Sequence, residues 1–205
     1  KTGMKEGFDH YNTDKKQPPR TIKTVKFDLK NGHQYIFKSP EGVFAYGKVD
    51  RASTILVENC VVSAQDRVLD IGSGFGMVGI TLKREYPDIS LFMSDVNTRA
   101  VTFSKINARD NNVQADVRKG DLYEPWKDME FDVILSNPPM AAGKSVWEKI
   151  VLEAPTYLAL GGSLQVVAFH NKGGSRIEGI MRQVFGNCTA LVKSGGIRVY
   201  LSRKA

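Results

Sequence analysis

The sequence predicts an α/β fold: a mostly parallel sheet with helices on both faces, preceded by a small N-terminal β-hairpin. Three observations carry this expectation. From about position 50 onward, short apolar runs alternate with segments of helical periodicity, the pattern of strand–helix units around a parallel sheet. A glycine-rich turn, Asp70-Ile71-Gly72-Ser73-Gly74-Phe75-Gly76, follows the first of those apolar runs. Ahead of them, Asn31-Gly32 separates two β-rich stretches, a strong hairpin signal because both residues tolerate φ > 0.

The elements follow in order. The first twenty residues are polar and end in Gln17-Pro18-Pro19-Arg20, where the prolines forbid a helix and favour an extended arm. Val25, Phe27 and Leu29 alternate before Asn31-Gly32, and Tyr35-Ile36-Phe37 follows it. Positions 39–50 form a loop containing Gly42 and Gly47. Positions 55–61 read as the end of a first helix and 68–71 as a buried strand. A helix over 76–86, with Val78, Ile80 and Leu82 on its apolar face, stops before Pro87. A strand at 91–93 precedes a helix over 97–109 that Asn97 caps. Strands at 113–119 and 131–135 lead to a helix over 146–160, ended by Gly161-Gly162. A strand at 163–169, a helix at 176–185 and a hairpin of 190–193 with 198–201 around Gly195-Gly196 complete the chain. That hairpin should place an antiparallel strand at one edge of the sheet. Residues 1–50 thus form an arm, hairpin and loop, and residues 51–205 the α/β domain. Trp126 and Trp147 read as packing residues.

A chain of 205 residues suits one such domain, and 41% hydrophobic with 25% charged residues supports a sizeable core rather than disorder. No apolar run reaches the ~18 residues needed to cross a bilayer, and the polar N-terminus shows no signal peptide. The expected setting is the cytoplasm, with no membrane partner. Cys60, Cys188 and the three histidines lack metal-ligand spacing, so no metal site is expected. Lys and Arg outnumber Asp and Glu by 29 to 22, and the net charge of +7 favours a polyanionic partner such as RNA. Monomer and dimer both remain open.

Ligands of parallel α/β sheets bind beyond the carboxyl ends of the strands. Gly72, Ser73, Gly74, Phe75 and Gly76 lie at such an end, where alternate glycines permit a sharp turn and close approach. The next helix would point its first N–H groups at the ligand. Gly74 to Gly79 also spell a dinucleotide fingerprint, but out of register with the strand, which should be followed at once by the first glycine. Asp70, just before the glycines, suits a cation better than a pyrophosphate. S-adenosylmethionine carries an ammonium and a sulfonium and no phosphate. Asp95, with Val96 and Asn97, stands about 20 residues beyond the loop, where a carboxylate can accept both ribose hydroxyls. Asp121, followed by Leu122 and Tyr123, could accept a hydrogen bond from an adenine amino group.

Positions 131–140 read FDVILSNPPM. A buried strand runs into Asn137-Pro138-Pro139-Met140. An exocyclic amine on an aromatic ring is a poor nucleophile, because its lone pair is delocalised into the ring. The Asn137 side-chain oxygen and the Pro138 carbonyl can each accept one of its N–H groups. That directs the lone pair at a methyl carbon and stabilises the developing charge without a strong general base. Pro139 stiffens the loop.

On these residues the chain resembles the methyltransferase small-domain family, best known through small-subunit ribosomal RNA guanine-N2 methyltransferases. It looks closest to compact, single-domain archaeal-type members. The resemblance runs from about His10-Tyr11 to the C-terminus. It includes Gly42-Val43-Phe44, Val49-Asp50, the segment from Leu69 to Gly76, Asp95-Val96-Asn97, Asp121-Leu122-Tyr123, Asn137-Pro138-Pro139 and Gly195-Gly196-Ile197-Arg198-Val199. It implies a Rossmann-like class I methyltransferase with a seven-stranded sheet. It also implies that Phe44 and its loop close over S-adenosylmethionine and frame the target base, and that Asn137 and Pro138 hold the target amine. Many amino-methyltransferases carry an aromatic residue after the prolines; here Met140 stands in its place. Guanine N2 of rRNA or tRNA is the first choice of target, with cytosine N4 and adenine N6 open.

Lys144 could reach a phosphate, and His170, at the end of the 163–169 strand, could touch substrate or be structural. Lys15, Lys16 and Arg20 beside Tyr11 form a basic arm suited to RNA. Two other readings stand beside this one. Methylation of a protein glutamine amide uses similar Asn-Pro-Pro chemistry, and a catalytically silent RNA-binding module could retain the fold.

Overall fold

The computed structural model describes residues 21–205. The Pro18-Pro19 segment and the basic arm of Tyr11, Lys15, Lys16 and Arg20 lie outside these described residues.

β1 (Ile22–Asp28) and β2 (Gln34–Pro40) form the antiparallel hairpin, with Val25 opposite Phe37 and Phe27 opposite Tyr35. Its turn differs from the two-residue form that Asn-Gly favours. Gly32 N donates to Leu29 O and Leu29 N to His33 O, and only Gly32 of the pair has positive φ, at 90°. This is a type I turn closed by a glycine bulge. The Asn31 side chain accepts from His33 N and donates to Glu85, which ties the turn to the neighbouring helix.

The main sheet has seven strands in the order β5-β4-β3-β6-β7-β9-β8. The elements are α1 (Arg51–Asn59), β3 (Arg67–Ile71), α2 (Met77–Glu85), β4 (Ser90–Asp95), α3 (Thr98–Asp110), β5 (Ala115–Lys119), β6 (Phe131–Ser136), α4 (Lys144–Tyr157), β7 (Leu158–Phe169), α5 (Gly174–Phe185), β8 (Thr189–Ser194) and β9 (Ile197–Arg203). Buried strands alternate their side chains between two cores. Val68 and Leu135 face α1, α2, α3 and the hairpin, in a cluster with Phe27, Phe37, Phe75 and Phe103. Leu69 and Ile134 face α4 and α5, in a cluster with Trp126, Trp147, Ile150 and Ile177. Both tryptophans are buried, as expected.

The hairpin is built into the first core by polar contacts as well. Buried Asn107 of α3 accepts from Lys38 N at 2.8 Å and donates to Lys38 O and Phe75 O. Glu85 of α2 accepts from Asn31, His33 and Tyr35. The Asn107 bonds link the hairpin directly to the glycine loop.

Two helix ends and one strand position depart from expectation. α1 ends at Asn59, short of Val61, whose backbone is held instead by both amide groups of buried Gln165. α4 ends at Tyr157, not 160. Pro155 lacks an N–H, and Leu158 leaves the helix to pair with Phe131, while Lys204 Nζ donates to the Pro155 and Leu158 carbonyls. Finally, the antiparallel strand β9 lies between β7 and β8 rather than at the edge, and the edge strand is β8.

β3 has β4 on one side and β6 on the other. The order in which the chain adds strands reverses at this point, while β4, β3 and β6 stay parallel; in such sheets the ligand site lies here, beyond the carboxyl ends of the strands.

Candidate active site

At the end of β3 the chain turns through Gly72, Gly74 and Gly76, with φ of 71°, 58° and 95°. These conformations penalise any side chain with a Cβ. A Cβ on Gly76 would also stand 2.7 Å from Ile80 Cδ1, whereas one on Gly72 would meet nothing within 4 Å. Gly76 is thus required by packing, and Gly72 borders open space. The loop is tied to β4: Gly72 N and Ser73 N donate to Ser94 O, and Gly74 N donates to Asp95 Oδ2 at 2.9 Å. Asp95 Oδ1 accepts from Asn97 N, Asn97 caps α3, and Gly120 N donates to Asp95 O. The segments holding Gly72, Asp95 and Asp121 therefore meet on one rim.

Asp70 is buried and accepts from Gly79 N, in the first turn of α2. The helix amino end is therefore filled by a protein carboxylate rather than pointed at a ligand phosphate. Burial pushes the Asp70 carboxyl up to about 7, with the Gly79 N–H opposing and the Asp95 charge adding to the rise. Burial also raises Asp95, against backbone N–H groups that lower it. Asp121 is exposed, and Leu122 beside it takes a left-handed φ of 48° that carries Tyr123 into the core.

Asn137 follows β6 directly. Its Nδ2 donates to Asp50 Oδ2 at 2.9 Å and to Ser53 Oγ at 3.0 Å. Among the described residues nothing donates to its Oδ1. The ladder of β6 ends at Ser136, so the Pro138 carbonyl has no role in the sheet. Pro138 is buried, Pro139 exposed, and Met140 starts a short 3-10 turn. The Met140 side chain lies over Gly173, where a Cβ would stand 2.3 Å from Met140 Cε.

The Gly-Val-Phe loop crosses the same rim. Val43 is buried near Gly74, while Phe44 is 67% exposed. Asn97 Nδ2 and Arg99 Nε donate to the Gly42 and Glu41 carbonyls and hold the loop against α3. Val96 is exposed at the end of β4. Lys144 is exposed at the start of α4. Both ring nitrogens of His170 are engaged within the protein, Nδ1 with Tyr200 Oη at 2.6 Å and Nε2 with Arg198 at 3.2 Å. A cavity of about 670 Å3 bordered by Arg67, Asp128, Glu130 and Tyr157 lies at the opposite, amino end of the strands. It holds none of these residues. No group of three or more His, Cys, Asp or Glu among the described residues is arranged to hold a metal ion, and no described helix is long and apolar enough to cross a membrane.

Residues 34–201 match the methyltransferase small domain family. The chain belongs to this family. Membership carries the Rossmann-like fold and the methyl donor, S-adenosylmethionine, that the sequence led us to expect. The chain is 29% identical over 199 residues to the uncharacterized protein YbxB of Bacillus subtilis, covering 96% of this chain and 98% of that protein. It is 30% identical over 183 residues to the ribosomal RNA small subunit methyltransferase C of Pseudomonas syringae, covering 87% of this chain and 54% of that protein. The chain thus spans about half the length of its named methyltransferase relatives. Among solved structures, the T. thermophilus 16S rRNA N2 methyltransferase RsmC, in complex with AdoMet and guanosine, superposes with a TM-score of 0.78 at 24% identity, covering 91% of this chain and 52% of that one. A methyltransferase from Pyrococcus furiosus superposes at 0.63.

Two residues to which sequence reading gave no role, Asp50 and Ser53, are brought against Asn137. In the sequence Asp50 is visible only as part of the Val49-Asp50 box; that it caps α1 is a finding of the structure. Its bond to Asn137 spans 87 positions, and no local pattern announces it.

Proposed function

We propose that the protein transfers a methyl group from S-adenosylmethionine to an exocyclic amine of an RNA base, guanine N2 of ribosomal RNA first. The observation that carries this reading is the pair of open acceptors, Asn137 Oδ1 and the Pro138 carbonyl, beside a glycine loop lined by carboxylates. Two acceptors without a competing donor suit an –NH2 group on a planar ring. The names of the Pseudomonas relative and of the T. thermophilus structure point to guanine and to ribosomal RNA.

The donor group fits the residues present. Asp70 would offer a carboxylate to an ammonium, and Asp95, at the tip of β4, would accept from ribose hydroxyls. Gly72 to Gly76 leave room for close approach, Asn97 stiffens the Asp95 turn, and Phe44, Val96 and Leu122 offer apolar surface for a purine ring with Asp121 at its amino edge. The cofactor supplies a methyl group on a cationic sulfur, which leaves as a neutral thioether. Asn137 and Pro138 each accept one amine N–H and aim the nitrogen lone pair at that methyl carbon in line with the departing sulfur. As the N–C bond forms, positive charge grows on nitrogen, and the two acceptors stabilise it. The surplus proton then passes to water. Met140 and Phe44 flank the base, which must leave its stack to enter. Lys144 serves a backbone phosphate. His170, with both ring nitrogens engaged by Tyr200 and Arg198, keeps a structural role.

Ionisation of Asp70 gives a test of the donor site. With a pKa of about 7 in the free protein, cofactor affinity should be roughly tenfold weaker at pH 6 than at pH 8, because the carboxyl is mostly protonated at the lower pH. The linkage to folding has the opposite sign. A carboxyl raised from 3.8 to about 7 contributes stability that is full below 3.8 and lost as pH rises through 7. Bound cofactor should therefore raise Tm more at pH 8 than at pH 6. Calorimetry across this range, with Asp70→Asn as the flat control, checks both statements; a flat wild-type profile would remove Asp70 from the site.

Incubation with radiolabelled S-adenosylmethionine and total RNA tests the reaction itself. Label should enter RNA and depend on the protein. Label entering only the protein fraction would redirect the reading to a glutamine amide, and cofactor binding without transfer would leave a silent module.

A further inference from the structure

A carboxamide can be seated in two ways that differ by exchange of its oxygen and its NH2 group, and the partners decide which is adopted. In this protein the partners of Asn137 form a closed ring. Asn137 donates one N–H to Asp50 Oδ2 and the other to Ser53 Oγ. Ser53 Oγ in turn donates its own hydrogen to Asp50 Oδ2 at 3.1 Å, so toward Asn137 it acts as an acceptor. Asp50 is fixed independently, because it caps α1 by accepting from Ser53 N at 3.0 Å. Ser53 is 7% exposed, which leaves little water to replace a lost partner.

We propose that Asp50 and Ser53 are positioning residues that lock Asn137 with Oδ1 toward the target, so that the site accepts an –NH2 and rejects a ring oxo group there. The inference rests on the methyl-transfer reading above and deepens it. If the amide were turned round, its oxygen would face the acceptor-only Asp50, and its NH2 would oppose the N–H groups of the target amine. Neither contact is favourable, and the partly buried setting increases the cost of both. The turn of α1 thereby sets the donor–acceptor polarity of a group 87 positions away. An oxo group at the target position would meet two acceptors and no donor, which gives discrimination without any residue that touches the rest of the base.

The test combines single-turnover methyl transfer at saturating cofactor and RNA with the affinities for both. In Asp50→Ala the transfer rate should fall by about a hundredfold, the scale of a misaligned reacting group, while KM for RNA and Kd for cofactor stay within about threefold. Asp50→Asn retains an oxygen for the cap and for Asn137, and should recover most of that rate. Ser53→Ala keeps the helix cap, since the alanine N–H still donates to Asp50; its rate should drop by about three- to tenfold at unchanged cofactor affinity. A wild-type rate in Asp50→Ala and Ser53→Ala would overturn the proposal, as would a rate loss that follows cofactor affinity alone. The side-chain amide protons of Asn137, followed by NMR, give a readout that needs no activity. They should exchange slowly in the wild type and rapidly in Asp50→Ala. Fast exchange in the wild type overturns the positioning role even where RNA is methylated, whereas protected protons with no transfer support it and count against the RNA reading instead.

Discussion

Replacing Asn137 by alanine is expected to lower methyl transfer by about a thousandfold while cofactor affinity stays within a few-fold. The magnitude follows from the loss of an acceptor aimed at charge that develops only in the transition state, where a single preorganised partner is typically worth about 10²–10³ in rate. Here orientation is lost as well, because the Pro138 carbonyl alone leaves the amine free to rotate. The side chain is not a pillar of the core: it is partly exposed, and its partners Asp50 and Ser53 remain linked to each other in its absence. Single-turnover assays and titration calorimetry on the same preparation separate the two quantities. Loss of cofactor binding in Asn137→Ala would make this residue a structural support of the glycine loop, and the mechanism would be wrong.

Asp95→Ala should show the opposite pattern, with cofactor affinity falling by about a hundredfold. Two hydrogen bonds from ribose hydroxyls to a charged acceptor, at about 1.5 kcal/mol each, give roughly 3 kcal/mol. Asp95 also accepts from Gly74 N and Asn97 N, so its removal frees the glycine loop as well as the ribose. Transfer at saturating cofactor should drop much less than affinity. Calorimetry checks this directly, and unchanged affinity would sink the ribose assignment.

These two residues illustrate what a single sequence discloses. Asp95 and Asn137 stand out in the sequence because one closes and the other directly follows a run of strand-forming residues, and β4 does end at Asp95 and β6 at Ser136, the strand ends beyond which parallel sheets hold ligands. The glycine loop was legible for the same reason, and the left-handed φ values of Gly72, Gly74 and Gly76 explain why glycine stands there. The expectation that α2 directs its N–H groups at the ligand missed the bond from Gly79 N to Asp70, since a carboxylate nine positions earlier leaves no periodic trace. The end of α4 was misread because Gly161-Gly162 is a stronger local stop than Leu158. What decides that boundary is the pairing of Leu158 with Phe131 across the sheet and the grip of Lys204, both tertiary contacts. The hairpin was visible, but its attachment was not. Asn107 reads as an ordinary polar position in a helix, yet it is fully buried and joins Lys38 to Phe75. Local pattern thus disclosed the elements and the strand ends on which the proposed site is built, and long-range hydrogen bonds orient the side chains found there.

The most direct test of the central claim is the identity of the methylated nucleoside. RNA from a strain lacking this gene, incubated with the protein and radiolabelled S-adenosylmethionine and then digested to nucleosides, should carry its label in N2-methylguanosine. Label on another exocyclic amine would keep the roles of Asn137 and Pro138 and change the base. Label on a ring carbon or a ribose oxygen, or none in any RNA while the cofactor is bound, would contradict the account.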